Sequence, residues 1–230
     1  MSVRVAVLAS GGGSNLQALL DAFNEVPDAP ARIALVISDR DSAAALERAR
    51  AMDVPAHLVP VSGRSEAEVA SDTLELLERH AIGLVALAGY LRLVPAAVIR
   101  AYAGRIVNIH PALLPAFGGQ GMYGSRVHRA VLASGARVSG PTIHYVSENY
   151  DEGRIIAQWP VPVLPDDTPA TLAARVLLVE HRLYPLVIAA LALGEVPRDS
   201  ELQEASFHWR AVAAPDAAEM IHLIQPSTLH

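Results

Sequence analysis

The sequence predicts an α/β fold: one domain with a mostly parallel sheet, an antiparallel C-terminal part, and helices flanking both. Three observations carry this expectation. As far as His110, short runs of valine, isoleucine and leucine alternate with longer amphipathic segments. The first junction between two such segments holds three successive glycines, Gly11 to Gly13. After Pro111 the rhythm changes, and two β-rich runs follow each other too closely for a helical crossover, the pattern of antiparallel neighbours.

Taken in order, "VRVAVLAS" (3–10) reads as the first strand and "SGGGSNLQALL" as a tight turn into a helix, with Ser14 or Asn15 as its N-cap. "RIALVIS" (32–38), "AHLVPV" (56–61), "GLVALAG" (83–89) and "RIVNIH" (105–110) read as further strands, with helices starting near Ser42, Ser65 and Pro95. Such β-α-β units make right-handed crossovers between parallel strands. A glycine-rich loop (116–125) and a short helix (126–134) lead to "ARVSGPTIHYVS" and "GRIIAQWPVPV", expected as two antiparallel strands. A long helix follows from Thr168 to about Leu193. The tail carries little pattern, so residues 1–194 read as the domain and 195–230 as a C-terminal extension.

Composition excludes several chemistries. With 230 residues, 52% of them hydrophobic, the chain can bury a substantial core. A net charge of -6 gives no footprint for nucleic acid or for an anionic membrane. The absence of cysteine removes disulfides, thiolate nucleophiles and cysteine zinc sites. All 18 basic residues are arginine, which removes Schiff-base catalysis and a Walker lysine. No run reads as a signal peptide or as long and apolar enough to cross a bilayer, so the expected location is the cytoplasm, with no membrane partner and no metal.

Two places attract attention. The glycine turn brings free backbone N–H groups and the positive end of a helix together, which suits a phosphate. It matches the dinucleotide fingerprint poorly, because Leu16 stands at the third glycine position, although Asp39 further on could be argued to hold a ribose. The fold expectation is therefore Rossmann-like, with a mononucleotide phosphate preferred. At the end of "RIVNIH", Asn108 and His110 share one strand face while Val107 and Ile109 take the other. Alone, such a pair reads more readily as a strand end meeting solvent.

"SGGGSNLQALL", "LAGYLRLVP", "NIHPALLPAF", "GSRVHRAVLASGARVSGPTIHYVSENYDEGRIIAQ" and "LLVEHRLYPLVI" together resemble the folate-dependent phosphoribosylglycinamide formyltransferases, in order, over about residues 3–194. The resemblance implies transfer of a formyl group from 10-formyltetrahydrofolate to the glycine amine of glycinamide ribonucleotide in purine biosynthesis. It implies Asn108 and His110 as partners of the developing oxyanion. Asp151, in "ENYDEG", would be the carboxylate that raises the pKa of His110 and orders a proton relay. His144 reads equally as a site member or as a histidine satisfied inside the fold.

Binding roles follow in the same way. Gly13, Ser14, Asn15, Leu16 and Gln17 match the phosphate-holding segment, and Glu180 matches a carboxylate that contacts the ribonucleotide. Leu91, Arg92, Leu93 and Val94 match a folate-lining strip, with Arg92 as partner for the cofactor's glutamate. Ser147, Glu148, Asn149, Tyr150 and Asp151 match the loop receiving the pterin, beside Asn108. Arg64 matches a further cofactor-contacting arginine. Partners are thus small molecules, with no nucleic acid, and a homodimer is compatible with the reading.

Gly12 stands where many members have asparagine, and Asp39 and Arg40 replace an Asn-led turn. The loop 116–125 is longer than in some members and suggests a lid. None of these departures is expected to touch Asn108, His110 or Asp151. Methionyl-tRNA formyltransferases call for a further basic domain, and formyltetrahydrofolate deformylases for an N-terminal regulatory one. A non-catalytic nucleotide-binding module would explain the glycines but gives the Asn-His-Asp set no task, and a nicotinamide oxidoreductase fits worst.

Overall fold

The structure, a computed structural model, describes residues 2–196. The extension read from residue 195 onward therefore lies almost wholly outside the described residues. Strands β1 (Val3–Leu8), β2 (Ala31–Ser38), β3 (Ala56–Leu58), β4 (Leu84–Leu87) and β5 (Ile106–His110) alternate with helices α1 (Ser14–Phe23), α2 (Ala44–Ala51), α3 (Glu66–Arg79) and α4 (Ala96–Ala101). Helix α5 (Ser125–Ser134), strands β6 (Val138–Ser139), β7 (Thr142–Tyr145), β8 (Ile155–Gln158) and β9 (Val161–Pro162), and helix α6 (Pro169–Leu193) complete the order.

The main sheet has seven strands in the order β3-β2-β1-β4-β5-β7-β8. Pairings among β1 to β5 are parallel, whereas β5–β7 and β7–β8 are antiparallel. The chain builds outward from β1 to β3, then returns to β4 on the other side of β1. That reversal opens a crevice at the C-terminal ends of β1 and β4, where open α/β sheets receive ligands.

Strand alternation divides the core into two layers. Val5 and Val7 of β1 pack with Leu16, Leu20, Tyr184 and Ile188 of α1 and α6, while Ala6 and Leu8 pack with Val69, Leu77 and Val98 of α3 and α4. Truncating one of these leucines to alanine costs about 2–5 kcal/mol. Ser65 and Thr168 each close a capping box, which explains why α3 and α6 begin where the sequence indicates.

Three expectations require correction. The two late runs each break, at Gly140-Pro141 and at Trp159-Pro160. Proline has no N–H for a ladder, so β6 and β9 separate into their own two-stranded ribbon. The N-cap of α1 is Gly13 in a left-handed conformation (φ 71), not Ser14 or Asn15, and no side chain caps this helix. Finally, α6 is, by length and composition, apolar enough to cross a bilayer. Its contacts are those of a core helix: Leu172, Val176, Val179, Val187 and Ile188 are buried, and the Tyr184 hydroxyl donates to the carbonyls of Leu87 (3.0 Å) and Val107 (3.3 Å).

Candidate active site

The polar cluster at the end of β5 is a product of register. Asn108 pairs directly with His144 across the β5–β7 ladder, and His110 with Thr142. Val107, Ile109, Ile143 and Tyr145 point into the core beneath α1 and α6, so these four polar residues share the opposite face. The turn that leaves β5 is tied to its neighbours. The Thr142 hydroxyl donates to the Ala112 carbonyl at 2.6 Å and accepts the Leu114 N–H at 3.0 Å, while the Gln158 amide donates to the Leu114 carbonyl at 2.9 Å.

Asp151 reaches this face from the loop after β7, with φ at 57°, in the left-handed region that a non-glycine residue seldom occupies. Its Oδ2 lies 3.5 Å from His110 Nδ1 and its Oδ1 lies 3.6 Å from His144 Nε2. The His110 Nε2–H donates to the Phe117 carbonyl at 2.9 Å, and the Gly119 N–H donates to Asp151 Oδ2 at 2.9 Å. Asn108, His110 and Asp151 are thus brought together, with His144 added to them. The loop holding Phe117 and Gly119 does touch this set, contrary to expectation. Gly118 fits because a Cβ there would lie 2.6 Å from Leu114 Cδ2 and 3.1 Å from Asp151 Cβ.

Electrostatics also revises the expected state of His110. Burial pushes its pKa below the ordinary value, and the opposing fields of Asp151 and the Phe117 carbonyl do not overcome it. The balance favours the neutral ring more than in a free histidine. Burial pushes the Asp151 carboxyl up, but its polar surroundings, the Gly119 N–H among them, outweigh this and hold its pKa below the ordinary value.

The glycine turn forms a second locus. Gly13 and the uncapped first turn of α1 direct N–H groups out of the helix end. Arg48 braces the turn, donating from Nε to the Gly12 carbonyl at 2.8 Å and from Nη1 to Gln17 at 3.0 Å. Sequence reasoning missed this arginine, whose only signal is its place on the helix beside the turn. From Ser14 and Arg48 an open groove of about 900 Å³ runs between α1 and α6 toward Phe23 and Ala189. Beside it, Asn15 Nδ2 donates to Glu180 Oε2 at 2.6 Å. Glu180 is buried, and desolvation pushes its pKa up to about 7 against the pull of Asn15. Asn15 Oδ1 is buried with no hydrogen-bond partner among the described residues.

The strip Leu91 to Val94 follows β4. The Leu91 N–H donates to Ser10 Oγ at 2.9 Å, which couples the strip to the glycine turn. Leu93 is exposed and Val94 buried. Arg92 Nε is held 3.1 Å from Oδ2 of the buried Asp39, so the residue considered for a ribose partners an arginine here. In the 147–151 loop, Ser147 Oγ donates to the Asn149 carbonyl, Asn149 bonds Glu152, and Glu148 pairs with Arg100 from α4; Tyr150 lies between Asn149 and Asp151. Arg64 pairs with Asp72 at 2.8 Å within its own segment, and among the described residues its hydrogen bonds and ion pair stay within residues 60–72, away from the other site residues.

The formyl transferase family model matches residues 3–188. A phosphoribosylglycinamide formyltransferase of Bacillus subtilis is 39% identical over 189 residues, covering 82% of this chain and 94% of that protein. A chloroplastic phosphoribosylglycinamide formyltransferase of Arabidopsis thaliana is 44% identical over 190 residues, covering 82% of this chain. The chain spans 65% of the length of that plant relative, and 60% of one from Vigna unguiculata. The crystal structure of glycinamide ribonucleotide transformylase 1 from Symbiobacterium toebii superimposes with a TM-score of 0.78 at 44% identity, covering 84% of this chain and 89% of that one.

Proposed function

This chain belongs to the formyl transferase family, and on that premise we propose that it transfers the formyl group of 10-formyltetrahydrofolate to the glycine amine of glycinamide ribonucleotide, a step of purine biosynthesis. The observation that carries the reading is the β5–β7 register, which gathers an amide and two imidazoles on one strand face, within reach of a carboxylate from the loop after β7. A formyl transfer needs that combination. The amine attacks the formyl carbon, an oxyanion develops, the bond to the folate nitrogen breaks, and the proton lost by the amine reaches that nitrogen.

Asn108 supplies an N–H to the oxyanion, and the His110 Nε2–H supplies a second once the Phe117 carbonyl gives way to substrate. Attack makes the amine strongly acidic; with its Nε2–H given to the oxyanion, His110 takes the proton at Nδ1, where Asp151 lowers the cost of the imidazolium, before the proton passes to the leaving folate nitrogen. The first turn of α1 holds the phosphate, and Asn15 with Glu180 accepts ribose hydroxyls. Leu91 to Val94 and Ser147 to Asp151 line the folate, with the outer edge of Arg92 toward its glutamate. These groups supply donor, base and carboxylate, so no metal takes part in the proposal.

The deciding experiment measures formyl transfer from 10-formyltetrahydrofolate to glycinamide ribonucleotide, to water and to charged tRNA, before and after dialysis against a chelator. Transfer to the ribonucleotide alone, unchanged by the chelator, is expected. Hydrolysis without transfer would replace this reading with a deformylase, and activity restored only by added metal would overturn the acid-base scheme.

A further inference from the structure

His144 is buried between Asn108 and a backbone carbonyl, and those two partners fix where its proton sits. Nδ1 lies 2.8 Å from the Tyr145 carbonyl oxygen, which can only accept, so Nδ1 carries the hydrogen. Nε2 lies 3.1 Å from Asn108 Nδ2. The Asp151 carboxylate, 3.6 Å from Nε2, is beyond hydrogen-bond reach. Nε2 therefore meets an amide nitrogen, which can only donate, and must offer its lone pair. The contacts thus place the hydrogen on Nδ1 and the lone pair on Nε2 of a ring that is 2% exposed.

From this geometry we infer that His144 is a positioning residue that sets which way the Asn108 side-chain amide faces. An asparagine amide can turn over with little change in shape, exchanging a donor for an acceptor. The lone pair on Nε2 accepts one Asn108 hydrogen. The other is held only by a 3.5 Å contact to Asp151 and is left for the formyl oxygen. In the turned-over orientation the Asn108 carbonyl oxygen would face the developing oxyanion and oppose it. The glycine two residues after Asp151 belongs to the same device. A Cβ on Gly153 would lie 1.6 Å from the Tyr145 oxygen, so only glycine lets the chain pass the carbonyl that pins the tautomer.

The inference rests on the formyl-transfer reading for its kinetic consequence, but not for its geometry, so two measurements separate them. In the uniformly ¹⁵N-labelled wild-type protein, long-range ¹H–¹⁵N spectra should show His144 with a protonated Nδ1 and an unprotonated Nε2. The Nε2–H tautomer or an imidazolium near neutral pH would overturn the inference, whatever the enzyme's activity. His144→Leu removes the acceptor and should lower kcat about a hundredfold, with KM for both substrates within about threefold, because the Asn108 donor acts in the transition state. His144→Gln presents a carbonyl oxygen in place of Nε2 and should recover at least about tenfold of that loss. Replacing His144 in an Asn108→Ala background should cost nothing further. A loss confined to KM, full activity in His144→Leu, or additive losses in the double variant would each remove the role. If His144→Leu does not fold, His144→Gln and the wild-type spectrum decide.

Discussion

At the scale of single residues, the state of His110 is a contest between burial and a carboxylate, and burial prevails. Asp151→Asn keeps the shape and an acceptor for Gly119 but removes the opposing charge. The His110 pKa should then fall further below its ordinary value, read by NMR titration of the ring, and turnover should drop on the order of a hundredfold. An unmoved His110 titration would show that Asp151 does not act on it. Side-chain alternation made the shared face of Asn108 and His110 legible in the sequence. Nothing local could show that His144 stands opposite Asn108, because that depends on the pairing register of strands separated by a loop and a helix. The Phe117 and Gly119 contacts were hidden for a related reason: they involve backbone groups, which carry no residue-type signal.

At the scale of elements, cap and period signals read well, and the starts of α3 and α6 follow from Ser65 and Thr168. Just before α6, Asp167 accepts two hydrogen bonds from Arg175 at 2.7 and 2.8 Å and one from the Leu164 N–H at 2.8 Å. These partners, Arg175 foremost, draw its pKa down to about 2. A depressed carboxyl contributes stability that is present above its ordinary value of 3.8 and is lost as pH falls through about 2. Asp167→Asn should therefore cost about 2 kcal/mol by denaturant unfolding at pH 7, with the difference closing toward pH 2. The start of α1 read less well, since a glycine cap has no side chain to announce it. A Cβ at Gly13 would sit 2.9 Å from Ala45 Cα at a φ of 71°, so a bulky residue there strains the fold itself. Gly12 has open space at its Cβ position. Gly12→Val should melt like wild type yet weaken glycinamide ribonucleotide binding by about tenfold or more, because the side chain intrudes where the backbone approaches the phosphate. Unchanged affinity in calorimetric titration would make the glycine turn architectural only.

At the scale of the whole molecule, buried ionisable groups pull the pH dependence of stability in opposite directions. His110 and His128 have pKa values pushed down by burial, so they favour the fold as pH rises through the range below 6.5. Glu180 does the reverse. Its raised pKa gives a contribution complete below 4.5 and lost as pH rises through about 7. Glu180→Gln should melt like wild type near pH 4.5 and become the more stable protein above pH 7, by on the order of 3 kcal/mol. Parallel melting curves for the two proteins across that range would mean that Glu180 ionises freely in the fold.

Strand order, too, lay beyond the sequence, since alternation fixes parallel crossovers but not which neighbour each strand chooses. The choice of β7 as the neighbour of β5 has a consequence for the protein as it is being synthesised. A nascent chain that has emerged only as far as Gly140 already contains the glycine turn, the strip after β4, and both Asn108 and His110, yet it lacks the imidazole that orients the one and the carboxylate that serves the other. Residues 142–151 bring both at once. The catalytic set should therefore not build up gradually with chain length but be completed in one step, when the seventh strand and the loop behind it close against the fifth, while turnover still waits for α6 to bring Glu180 to Asn15.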